Sequence, residues 1–206
     1  MKNVSEHPPI NFAKTGVLVI NLGTPDSTSW FDIRKYLKEF LSDRRVIEVP
    51  PILWQIILNV FILNFRPSKT AKAYKKIWMK DENISPLLYY TREQARKISS
   101  FFTEDNIIVD FAMRYGNPSI KSKLEILKKQ GCENIVLLPL YPQYAAATTA
   151  TVCDEVYRNL MKMRWQPSLQ IIPHYESEPL YIDALVSSIK EKILEINWKP
   201  DLIMAS

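Results

Sequence analysis

Glycine is scarce in this chain. Among 206 residues there are four, Gly16, Gly23, Gly116 and Gly131. A dinucleotide fingerprint needs three glycines within one strand-to-helix turn, and a P-loop needs two with a following Lys. The one turn of the right kind, "NLGTPDS", supplies a single glycine. The usual phosphate-cradling uses of a wound α/β sheet are therefore disfavoured. Cysteine is almost absent too: Cys132 and Cys153 have no metal-type spacing, which suits a reduced, cytosolic protein. The two histidines are His7 and His174. No catalytic triad can be assembled around them. His174 reads as structural, since Glu176 and Glu178 alone make a weak case for a metal site.

Long apolar runs are also missing. "MKNVSEHPPINFAKTG" lacks the apolar stretch of a secretory signal, and residues 1–15 are read as a flexible leader. The greasiest segment, "VPPILWQIILNVFILNF" (Val49 to Phe65), falls short of the roughly 20 residues that a span requires. It opens on Pro50-Pro51 and carries Gln55, Asn59 and Asn64. The first reading is a buried helix. The alternative is a helix whose apolar face meets lipid or a large flat ligand. Net charge is +5, a mildly basic balance that fits a lysine-rich surface.

What the chain does contain is regular alternation. "GVLVINL" is a short, continuous, β-branched apolar run and reads as a buried strand. Asp26 or Ser27 is expected to cap a helix reaching about Phe40. "RPSKTAKAYKKIW" reads as a basic helix that "DENISP" ends, and "LLYYTREQARKISSFF" as a further helix. From there "IIVDFAM", "NIVLLPL", "LQIIP" and "DLIMA" read as strands. The helices "NPSIKSKLEILKKQG", "TTATVCDEVYRNLMKM" and "EPLYIDALVSSIKEKILEI" lie between them. This pattern predicts a Rossmann-like, doubly wound parallel sheet with helices on both faces.

Ligands of such sheets gather at the carboxyl ends of the strands. Those ends carry Gly23-Thr24-Pro25, Arg114-Tyr115, Tyr141 to Tyr144, and His174-Tyr175. Beside the greasy segment, Arg66, Lys69 and Tyr74, with Ser85 after the loop, present cationic and hydroxyl donors. A guanidinium grips a carboxylate bidentately and an ammonium adds a point charge. An apolar wall with a cationic rim suits a flat hydrophobic molecule bearing carboxylates; a solvated basic face is the plain alternative.

Five strings in order, "LVINLGTPDS", "YLKEFLSDRRVIEVP", "RPSKTAKAYKKIW…SPLLYYT", "AMRYGNPSI" and "PLYPQYAAATTATV", resemble the ferrochelatases, from about Gly16 to the end of the chain. The resemblance implies insertion of ferrous iron into protoporphyrin, the last step of protoheme synthesis, by two Rossmann-like domains around a porphyrin cleft. It makes residues 36–66 a lip over that cleft, which in many members touches the membrane. It matches Arg66, Lys69, Tyr74 and Ser85 to residues that hold the propionates. Leu22 would face the porphyrin plane. Arg114 and Tyr115 would line a deeper pocket, and Tyr141 to Thr149, Thr148 included, a cleft loop.

The resemblance also implies limits. Ala145 stands where many relatives have serine, and Ala146 where cluster-bearing relatives have cysteine. No iron-sulfur cluster and no other resident cofactor is expected, with Fe²⁺ only as substrate. The linker "WMKDENISP" is longer than the family's glycine-rich version. The catalytic histidine would follow Ser206, so the expectation is an amino-terminal half. Its first domain would be 16–177, with a crossover helix and the first strand of a second domain in 178–206. The half would have no catalytic residue of its own and would lack its carboxy-terminal partner. No nucleic-acid partner is expected. Peripheral membrane contact and a cytoplasmic location complete the expectation; a non-catalytic porphyrin- or membrane-binding module is the rival.

Overall fold

A computed structural model describes residues 14–203. It divides into two compact units, one ending at Pro173 and one beginning at His174. The first unit is built on four parallel strands in the order β2-β1-β3-β4. They are β1 (Lys14–Thr24), β2 (Ile107–Gly116), β3 (Cys132–Pro139) and β4 (Ser168–Ile171). The chain between β1 and β2 forms α1 (Trp30–Leu41), α2 (Pro51–Ile57), a π-helical turn (Leu58–Ile62), α3 (Leu63–Ile77) and α4 (Pro86–Ser99). The later crossovers are α5 (Ile120–Lys129), then a second π-helical turn (Ala146–Ala150) running into α6 (Thr151–Leu160).

The period-2 alternation of a strand sorts β1 between two surfaces. Leu18 and Ile20 join Leu124 and Leu127 of α5 and Val152 and Val156 of α6 in one fully apolar cluster. Asn21, pointing the other way, donates to the Thr91 hydroxyl of α4 (3.0 Å). A second cluster gathers Ile33, Tyr36 and Leu37 of α1, Leu58, Leu63 and Ala71 of the following helices, and Tyr115. It joins the sheet to the greasy segment.

Two glycines close the carboxyl ends of β1 and β2 on one another. Gly23 pairs with Tyr115 and Thr24 with Gly116. A Cβ on Gly23 would lie 1.9 Å from the Tyr115 carbonyl oxygen, and φ there is +114°. So the glycine of "NLGTPDS" serves backbone-to-backbone approach.

Several expectations need correcting. The cap of α1 is Ser29, which accepts from Asp32 N–H (3.1 Å). The Ser27 hydroxyl instead bonds the Asp32 carboxylate. These two hydroxyls hold the Asp32 carboxyl below its ordinary range. Arg114 and Tyr115 lie within β2 rather than after it. The greasy run is not a buried helix. Ile52 is 82% exposed and Phe65 75%, with Leu53, Ile56, Val60 and Phe61 exposed as well; only Leu58 and Leu63 are fully buried. A hydropathy run counts apolar residues, whereas one side of this segment rests on α1 and the other faces outward.

The run stays helical because its irregularities are compensated. Trp54 Nε1 donates to the Leu41 carbonyl at the end of α1 (2.6 Å). Asn59 and Asn64 donate back to Gln55 and Val60 carbonyls. Pro67, inside α3, has no N–H for the carbonyl four residues earlier. Arg34 of α1 supplies that bond, its Nε reaching Leu63 O at 3.2 Å.

The second unit contains α7 (Pro179–Glu195), none of whose residues is buried. His174 Nδ1 lies 3.0 Å from Glu176 Oε2. Of the predicted "DLIMA" strand, Asp201–Ile203 carry no regular structure; the remainder, like His7 and most of the leader, lies outside the described residues.

Candidate functional site

Helical spacing brings three of the expected residues together. Phe61, Phe65, Lys69 and Ala73 are four apart and share one face of the π-turn and α3. With Ile62, Arg66, Thr70 and Tyr74 they line a groove of about 770 Å³. Its floor is apolar and its rim holds two cations. Arg66 and Lys69 are exposed and, among the described residues, make no ion pair. The groove can take a flat apolar body and offer fixed positive charge to acidic groups at its edge.

Tyr74 connects this groove to the sheet. Its ring meets Tyr36 edge-on (6.4 Å between centroids), Tyr36 stacks with Phe40 (6.1 Å), and Phe40 meets Tyr115 edge-on (5.1 Å). Leu22 packs partly buried on the same cluster. Burial pushes the Tyr36 and Tyr115 phenols well above their ordinary range, so both remain donors. Tyr36 donates to Gly23 O (3.3 Å) and Tyr115 to Asp43 Oδ2 (2.9 Å).

Arg114 lies elsewhere. It lines a second cavity of about 700 Å³, with Asp43, Arg44, Arg45, Asp154 and Arg158 among its walls. Its guanidinium is committed inward. Nε donates to Thr151 O (2.8 Å), Nη2 to Asp43 Oδ2 (2.5 Å), and the carbon of the fork sits 4.3 Å from the Tyr115 ring centroid. Arg45 grips Asp154 with two bonds (2.8 and 3.1 Å), which holds the Asp154 carboxyl below its usual range.

The remaining expected residues are placed singly. Ser85 is buried and caps α4, its hydroxyl accepting from Leu88 N–H (3.2 Å). Tyr141 packs on the sheet cluster, and burial raises its phenol above the ordinary range. Thr148 donates to Ala145 O (3.2 Å) in the second π-turn. The hydroxyls of Thr24, the last residue of β1, of Tyr141, just past β3, and of Thr149 are buried without a partner among the described residues. Among the described residues, no three His, Cys, Asp or Glu side chains converge as a metal site. Sequence reasoning missed Asp43. Only its place directly after α1, ahead of Arg44-Arg45, hinted that a carboxylate there would need a partner.

The family model for ferrochelatase matches residues 14–206. A ferrochelatase from Allorhizobium ampelinum is 55% identical over 98% of this chain and 59% of its own length. One from Rhizobium meliloti is 53% identical over 98% of this chain and 60% of its own length. One from Brucella anthropi is 52% identical over 94% and 55%. The chain thus spans somewhat under two thirds of the length of the relatives it matches.

Proposed function

The chain belongs to the ferrochelatase family, and from that premise we propose that it is the porphyrin-gripping part of an enzyme that inserts ferrous iron into protoporphyrin to make protoheme. The supporting observation is the groove in which exposed Arg66 and Lys69, without an ion pair among the described residues, stand beside Phe61 and Phe65. A porphyrin is a flat apolar disc with two carboxylates on one edge, and this arrangement matches both properties. Tyr74 adds a hydroxyl at the groove's sheet side.

Insertion is hard because a flat porphyrin aims two N–H protons into the hole that the metal must enter. Binding energy from remote contacts can hold a bent ring whose nitrogens shed those protons more readily. On this reading Arg66, Lys69 and the apolar wall supply remote contacts. The proton-accepting histidine and its carboxylate would, on the same reading, come from the part of the relatives' length that this chain does not span. The 206-residue chain alone therefore has negligible chelatase activity, and iron is its substrate with no resident cluster.

The outward apolar side of the lip, Ile52, Leu53, Ile56 and Val60, together with the chain's net charge of +5, favours peripheral contact with an anionic leaflet on the cytoplasmic side. No helix among the described residues is long and apolar enough to cross a membrane. The test of the main reading is a fluorescence titration of the full-length protein with protoporphyrin. Arg66→Ala and Lys69→Ala should each weaken binding about tenfold. Unchanged affinity in both would remove the carboxylate assignment.

A further inference from the structure

We infer that Asp43 is a positioning residue: it fixes the lip to the sheet and so sets the groove that Arg66 and Lys69 line. The inference rests on the reading that this groove seats a porphyrin.

The observation is the number of bonds that meet on one carboxylate. Asp43 Oδ2 accepts from Arg114 Nη2 (2.5 Å) and from the Tyr115 hydroxyl (2.9 Å), both on β2, more than 70 residues away. Oδ1 accepts from Arg45 N–H (2.8 Å). Its main-chain carbonyl accepts from Val46 N–H (3.1 Å) and Ile47 N–H (3.0 Å). One residue therefore shapes the whole connection from α1 to α2 and anchors it to a strand end. Val46 and Ile47 carry that anchoring onward, since both pack against the cluster that holds Leu58 and Leu63 of the lip. Pro50-Pro51 then opens α2 with two fixed φ angles, so little of the connection's orientation is lost before the helix starts.

The ion pair is also the right kind to set position. Its side chains are 6% and 7% exposed, and a buried pair is held by geometry more than by net energy. Arg114 is held from its other side by Thr151 O, and Arg45, next door, grips Asp154 of α6. The connection is tied to β2 and to α6 at once. Two of Arg114's donors, Nε and Nη2, are thereby committed to protein partners.

The test uses the full-length protein, with Asp43→Asn, Asp43→Glu and, as a milder break of the same connection, Arg45→Ala. Two readouts are taken: protoporphyrin affinity by fluorescence, and amide hydrogen exchange compared between residues 51–66 and the β1 core, 17–20. Asp43→Asn should weaken porphyrin binding about tenfold and speed lip exchange by a similar factor while β1 exchange holds. Asp43→Glu should recover part of both. Arg45→Ala should shift both about two- to threefold in the same direction. If Asp43→Asn does not fold, Tyr115→Phe, which removes the hydroxyl bond to Asp43 Oδ2, decides the matter by the same two readouts. Exchange rising equally in lip and β1, or unchanged lip exchange and affinity, overturns the inference. If wild type fails to bind protoporphyrin, the groove reading falls, and the exchange comparison still decides whether Asp43 positions the lip.

Discussion

Two arginines forty-eight positions apart show how differently one side chain can be used. Arg66 stands exposed on an apolar groove with no anionic partner among the described residues. Arg114 is buried, bonded to Asp43 and Thr151, and stacked on Tyr115. The first has charge to offer a ligand and little to do with stability. The second has its charge consumed within the protein, and its loss strands a buried carboxylate. A resemblance between strings of sequence gives both the same standing, and only burial separates them.

That contrast can be broken from the strand-end side first. Gly23→Ala should have the largest effect, because its Cβ would enter the Tyr115 carbonyl and its φ is positive. We expect a loss above about 3 kcal/mol, seen as failure to give a cooperative urea transition. Arg114→Met should follow, at about 3–5 kcal/mol in urea melts, since Asp43 is left charged and unpaired. Arg66→Ala and Lys69→Ala should change stability by less than about 0.5 kcal/mol while costing porphyrin affinity. A large stability loss in either would erase the distinction between the two regions. Asp154→Asn should cost about 0.5 kcal/mol at neutral pH. The Asp154 carboxyl is held below its ordinary range by Arg45. Its contribution is thus present above the usual carboxylate pKa and fades as pH falls through the lowered value. Wild type and variant should converge in acid, and a gap that persists there would contradict the pairing.

The sheet was legible because continuous β-branched runs such as Val17–Ile20 and Ile135–Leu138 leave few other readings. The sites of α4, α5 and α6 followed from helical spacing and from the Gly131 stop. Ser29 was missed as the α1 cap because three hydroxyls precede Trp30 and local sequence cannot say which one turns back. For Val49–Phe65 the buried-helix reading fails because it equates apolar character with burial, while the exposure of Ile52 and Phe65 agrees with the alternative of a helix presenting an apolar face. The groove itself was half legible: Arg66, Lys69 and Tyr74 share a helix, so spacing alone could unite them. The knot at Asp43 was not, since its partners lie on β2 and their meeting depends on how the sheet assembles.

Proline inside α3 leaves one further mark. With Pro67 unable to donate, the α1 side chain Arg34 acts as a crutch for Leu63 O. Putting Ala at position 67 would restore the helix's own bond and make the crutch redundant. Arg34→Ala should then cost less in the Pro67→Ala background than in the wild-type chain, a non-additivity that a double-mutant cycle of urea melts would read directly. In that sense the seam between α1 and α3 is stitched by a defect, and repairing the defect would loosen the seam.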